Sequence, residues 1–123
     1  MLFRSGLANI EVIESRGLVE RVRDDTGPYF QKKLQSFATH PAIGEVRGYG
    51  LIGALELLPR EGKSALNPST MLGIRGAKLA REAGVIVRGI RDLLAVAPPL
   101  IITHEEIDLL FKGVEKAIGR LWD

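Results

Sequence analysis

The closing segment of the chain constrains the fold more than any other. Thr103 followed by Glu106 has the spacing of a capping box, in which a hydroxyl and a carboxylate satisfy two orphan N–H groups at a helix start. From there Ile107, Leu110, Phe111, Val114, Ile118 and Leu121 recur at helical intervals and make one apolar stripe. A helix with that stripe is not stable alone in water. The rest of the chain must supply an apolar layer to receive it.

There is enough chain to do so. For 123 residues and 13.5 kDa, area scaling gives about 6,500 Å² exposed when folded against roughly 19,600 Å² unfolded, so about two-thirds can be buried. A hydrophobic share of 46% with 26% charged residues is globular rather than disordered. A net charge of +2 is too small to argue for a nucleic-acid partner. The absence of cysteine excludes a disulfide framework, a thiolate nucleophile and a Cys-ligated metal. The longest apolar run, Leu93 to Ile102, is broken by Pro98-Pro99 and is too short to span a bilayer. The first residues lack the pattern of a secretory leader, so no membrane partner and a cytoplasmic location are expected.

The remaining elements follow from periodicity and punctuation. Residues 7–15 predict a helix, with Gly17 as its stop. Leu18, Val22, Phe30, Leu34 and Phe37 predict a second, from Leu18 to about Phe37, kinked or broken at Gly27-Pro28 because proline removes a donor. Ile43 to Leu57 reads as a β-strand whose glycines permit bulging or close approach. Residues 59–70 have loop composition, and a third helix runs from Met71 to Ala83, ending at Gly84. Val85-Ile86-Val87 and Leu93-Leu94-Ala95-Val96 read as a hairpin joined by Arg88 to Asp92. The order α-α-β-α-β-β-α predicts one α+β domain over residues 1–123, with a small, mainly antiparallel sheet of three to four strands covered by helices on one face. The other face of the sheet is left open for docking.

Chemistry is sparse. Gly48-Tyr49-Gly50-Leu51-Ile52-Gly53 fits G-x-G-x-x-G literally, but strand rather than helix follows, and Gly73 stands where a dinucleotide site needs an acid. His40 and His104 have no metal-ligand spacing. Glu105 and Glu106 are explained by helix capping, and Ser5, Ser15, Ser36, Ser64 and Ser69 lack a nucleophile-elbow context. Lys32, Lys33, Lys63, Lys78, Lys112 and Lys116 fall on polar helix faces or in a loop, where none has the desolvated setting of a Schiff-base amine. No catalytic, cofactor-binding or metal-binding residue is assigned. Arg88, at the end of an apolar run, is the candidate ligand-binding residue, since guanidinium suits a planar carboxylate; pairing with Asp92 across the turn, or snorkelling to water, are the alternatives.

Two stretches resemble a known family. Val46-Arg47-Gly48-Tyr49-Gly50-Leu51-Ile52-Gly53-Ala54-Leu55-Glu56-Leu57 resembles the V-R-G-x-G-L-x-x-A-x-E-L segment of class III aminotransferases, which depend on pyridoxal phosphate. Gly84 to Arg88, then Asp92, then Pro98-Pro99-Leu100-Ile101-Ile102-Thr103, then Glu106-Ile107-Asp108, resembles that family's C-terminal signature. The resemblance runs from about Leu7 to Trp122. It implies the small C-terminal domain of an omega-type enzyme, packed on a large pyridoxal-phosphate domain, usually in a homodimer. The Schiff-base lysine, the aspartate on the pyridine nitrogen and the phosphate-binding residues would then lie upstream, so no tight cofactor binding by this chain alone is expected. Arg88 aligns with the arginine that receives the substrate carboxylate of an amino or keto acid. Arg91 departs from the pattern, standing where the family commonly has glycine, and the first six residues do not resemble the family's helix entry.

Overall fold

A computed structural model describes residues 2–61 and 71–123. The chain opens with α1 (Leu2–Ser15), which starts five residues earlier than the apolar spacing predicts. Gly17, at φ +56°, turns the chain out of it. The second helical segment is one rod with an internal defect. It comprises α2 (Leu18–Arg21), a π-helical turn (Val22–Thr26), α3 (Gly27–Gln35) and a 3₁₀ turn (Ser36–Thr39). The predicted disturbance at Gly27-Pro28 takes the form of that π turn. Pro28 has no N–H, and the Gly27 N–H reaches back five residues to the Val22 carbonyl. A Cβ at Gly27 would stand 2.1 Å from that oxygen, so the turn needs glycine there.

Residues 43–57 are two strands rather than the predicted one. β1 (Ile43–Tyr49) and β2 (Ile52–Leu57) form an antiparallel hairpin across Gly50-Leu51. Gly50 lies at φ +58°, a position that tight hairpin turns reserve for residues without a Cβ penalty. The bulging expected of the glycines occurs at Gly44, where the register slips between Ile43 and Glu45. Then come α4 (Leu72–Glu82), β3 (Arg88–Ile90), β4 (Leu93–Val96) and α5 (His104–Gly119). The second hairpin also departs from expectation: its first strand is Arg88–Ile90 and not 85–87, and its connection is the pair Arg91-Asp92. The Val85 N–H is held by the Ala80 carbonyl at the end of α4, and Ile86 is 80% exposed, so this stretch follows the helix instead of the sheet.

The sheet order is β1-β2-β4-β3, antiparallel throughout. One face carries Leu55, Leu57, Leu94 and Val96, all buried against α3, α4 and α5. The stripe of α5 enters this core as predicted: Ile107, Phe111, Val114 and Ile118 are buried, and Phe111 packs tilted against Phe30 and Phe37 with ring centroids 5.0 and 5.9 Å away. Each fully buried Leu or Phe contributes about 1.5–3 kcal/mol. Both halves of the capping box are present, Glu106 N–H to Thr103 Oγ1 at 3.2 Å and Thr103 N–H to the Glu106 carboxylate at 2.9 Å. The result is an α+β sheet with helices on one face.

Candidate functional site

Residues opposite each other in an antiparallel ladder share a face. The register therefore puts Tyr49, Arg47 and Glu45 of β1, Ile52, Ala54 and Glu56 of β2, Ala95 and Leu93 of β4, and Arg88 and Ile90 of β3 on the face away from the helices. No described element covers it. Tyr49 is 90% exposed and Ile52 66%.

Two arginines on this face have different settings. The Arg47 guanidinium is taken up by carboxylates of its own sheet, 2.7 Å from Glu45 and 3.4 Å from Glu56. Reading 43–57 as one strand hid this cluster, although the alternation of Glu45 and Arg47 and the later Glu56 carry its signal. Arg88 is exposed at the start of the edge strand, opposite Ala95, and its side chain has no hydrogen-bond or ion-pair partner among the described residues. The proposed pairing with Asp92 gives way to another geometry. The Asp92 carboxylate turns to α4, where it accepts the Leu72 N–H at 2.9 Å. Arg91, at φ +51°, adopts the conformation that glycine would take more cheaply. It lines a shallow groove of about 260 Å³ with Arg47, Glu56, Ile90, Asp92 and Leu93.

The other candidates have structural roles. Gly48 and Gly53 face each other across the first ladder beneath Leu34, and a Cβ on either would stand 2.6 Å from its Cδ2. Gly50 makes the turn. The three glycines of the G-x-G-x-x-G string thus serve packing and chain reversal. His104 stacks on Tyr29 at 4.1 Å and reaches Asp25 at 2.8 Å, while His40 Nδ1 accepts the Ala42 N–H. No group of three metal-ligating side chains exists among the described residues. Lys33 is bound to Asp108 at 2.9 Å, which raises its pKa; Tyr29 and Lys33 together hold the Asp108 carboxyl below the usual carboxylate range. That is the reverse of the setting a nucleophilic amine needs. Lys32, Lys78, Lys112 and Lys116 are exposed, and Lys63, Ser64 and Ser69 lie outside the described residues. No described helix is long and apolar enough to cross a membrane.

Comparison with known proteins converges on one family. The model of the class III aminotransferases matches residues 5–118. The diaminobutyrate–2-oxoglutarate transaminase of Halomonas elongata is 37% identical over 97% of this chain and 26% of its own length. The putrescine–pyruvate aminotransferase of Pseudomonas aeruginosa is 32% identical over 93% of this chain and 25% of its own. Among solved structures, a transaminase with L-alanine superposes with TM-score 0.83 at 40% identity, covering 92% of this chain and 27% of that one. An aminotransferase from Vibrio fluvialis in its PMP-bound form gives 0.84 at 31% identity, covering 94% and 25%. The chain spans about a quarter of the length of these relatives. With a family model matched over nearly all of its residues, the chain belongs to the class III aminotransferases.

Proposed function

We propose that this chain is the C-terminal domain of an omega-type class III aminotransferase, and that Arg88 receives the carboxylate of the amino or keto acid between which the amino group moves. One observation carries the reading: Arg88 has no partner among the described residues, whereas Arg47 on the same face is neutralised by Glu45 and Glu56. A guanidinium opposite Ala95 and on the same face as Ile90 offers a planar fork to a carboxylate. The partner covering this face is a large pyridoxal-phosphate domain, with the whole assembled as a homo-oligomer. Exposed Phe3, Leu7 and Ile10 on α1 add a second apolar strip for it to cover.

Class III aminotransferases depend in general on pyridoxal phosphate. The described residues do not fit its requirements, since no lysine among them is buried and the glycine string is packed under Leu34. The cofactor supplies the electron sink, and the anchoring groups for it belong to residues other than these. Taken alone, the chain is inactive.

Two experiments test this reading. Incubation with pyridoxal phosphate and borohydride is expected to give no reduced adduct at any single lysine; a specific one would end the division of labour. The chain can also replace the matching quarter of the Halomonas transaminase. In that chimera Arg88→Ala is expected to raise KM for a carboxylate substrate by about ten- to a hundredfold, the value of a charged hydrogen-bonded pair. An amine donor without a carboxylate serves as the control. An unchanged KM removes Arg88 from the site. The uncovered sheet face, with Tyr49 and Ile52 exposed on it, also suits a second reading, a stand-alone binding module that keeps the fold without the reaction. A monodisperse oligomer that binds an amino acid without cofactor in sedimentation and titration experiments would favour it.

A further inference from the structure

The edge strand that carries Arg88 is three residues long and, among the described strands, pairs only with β4. Three ladder positions at a sheet edge are a weak hold on a strand whose backbone must present that residue in register. The strand's position is set from outside the ladder, at the Arg91-Asp92 turn. Among the described residues, three backbone N–H groups converge there: Leu57, at the end of β2, donates to the Asp92 carbonyl at 2.8 Å, Gly73 to the Arg91 carbonyl at 2.7 Å, and Leu72 to the Asp92 carboxylate at 2.9 Å. On the helix side, α4 has no cap from its own neighbour. Met71 holds the N-cap position at φ +46° and offers no side-chain hydrogen bond. Asp92, twenty positions beyond Leu72, does what an N-cap carboxylate does, accepting an orphan N–H and placing negative charge at the positive end of the helix.

From this we infer that Asp92 is the positioning residue for Arg88. Its carboxylate fastens the β3–β4 turn to the first turn of α4, and so fixes the backbone from which the Arg88 side chain reaches over the uncovered face. The inference rests on the carboxylate role proposed for Arg88 and adds to it the group that holds the arginine's strand in register. It also gives the aspartate of the C-terminal signature a physical task that the sequence does not disclose.

The test has two arms. On the 123-residue chain, amide hydrogen exchange is compared for the parent, Asp92→Ala and Asp92→Asn. Asp92→Ala is expected to lower protection about five- to thirtyfold at Leu72, Gly73 and Leu57 and along the β3–β4 ladder, the loss that follows from removing a helix cap. Asp92→Asn keeps an acceptor oxygen and should retain most of it, losing about two- to fivefold with the charge. If Asp92→Ala does not fold, that smaller loss still decides. Protection lost at Leu72 with the ladder untouched, or no loss in either variant, overturns the proposal.

The second arm uses the chimera. Asp92→Ala should raise KM for the carboxylate substrate about tenfold or more, leave the carboxylate-free amine donor unmoved, and be rescued by Asn. A KM that moves with Arg88→Ala but not with Asp92→Ala sinks the role of Asp92 alone. A KM that ignores Arg88→Ala sinks the carboxylate reading, and the positioning role with it.

Discussion

The two hairpins of the sheet share a plan and reach it by opposite means. In each, two strands are joined by a pair of residues whose first member has positive φ, Gly50 at +58° in one and Arg91 at +51° in the other. The first turn is local: glycine adopts that conformation without a Cβ penalty, and a Cβ there would meet only Val22 Cγ1, at 3.7 Å. The second is imposed. Arginine is held in a glycine conformation because Leu57, Leu72 and Gly73 all bond to the turn. The same division extends to the glycines at the contacts beneath them, Gly73 belonging to α4 and the others to the strands. Gly48 and Gly53 make room for a side chain, that of Leu34, whereas Gly73 and Gly89 make room for backbone.

That difference orders the expected losses. A Cβ at Gly73 would stand 2.2 Å from the Leu93 oxygen, and one at Gly89 would stand 2.2 Å from the Gly73 oxygen. Backbone cannot rotate away, so Gly73→Ala and Gly89→Ala are each expected to cost about 3 kcal/mol or more, read as a fall in the urea midpoint. No single side-chain substitution should restore either. Gly53→Ala meets only Leu34 and should cost about 1–3 kcal/mol. Combined with Leu34→Ala, which alone creates a cavity worth about 2–5 kcal/mol, it should add little. A double-mutant cycle with strictly additive costs would mean that Leu34 is not what those glycines accommodate.

The contrast also explains what could be read in advance. Elements governed by residues near in sequence were legible: the Thr103–Glu106 box, the α5 stripe, the Gly17 stop and the disturbance ahead of Pro28. Both hairpin errors came from longer-range causes. Residues 43–57 alternate with little interruption, and the local turn glycine Gly50 is masked by its neighbours Gly48 and Gly53, whose purpose, admitting Leu34 of α3, is not visible in the segment itself. In the second hairpin the β-branched run 85–87 outbid Arg88–Ile90 as a strand on propensity. The structure prefers the latter because Gly89 is the residue that lets a strand lie on the backbone of α4. The same anchoring removed Asp92 from its expected place beside Arg88 and put it on the Leu72 N–H. Arg88 stood out as a candidate because a cation at the end of an apolar run is a local signal; that it pairs with none of the described residues needed the structure. Its neighbours Arg47, Glu45 and Glu56 needed the ladder register.

The smallest expected effects are the sharpest test of a local against an imposed turn, because they differ in sign. A non-glycine residue in the left-handed region costs about 1–2 kcal/mol, and glycine gives back about 0.4–1 kcal/mol of that by enlarging the entropy of the unfolded chain. Gly50→Ala should therefore lose about 0.5–1 kcal/mol in thermal or urea unfolding. Arg91→Gly should gain about the same, since the Arg91 side chain has no hydrogen-bond or ion-pair partner among the described residues. Pairing Arg91→Gly with Asp92→Ala tells whether the helix holds the turn. With the carboxylate gone, the turn is free to relax around arginine, so the strain that glycine relieves is smaller and its gain should shrink. If the gain from Arg91→Gly is the same with and without Asp92, the positive φ is set by the ladder alone, and the second hairpin is as local as the first.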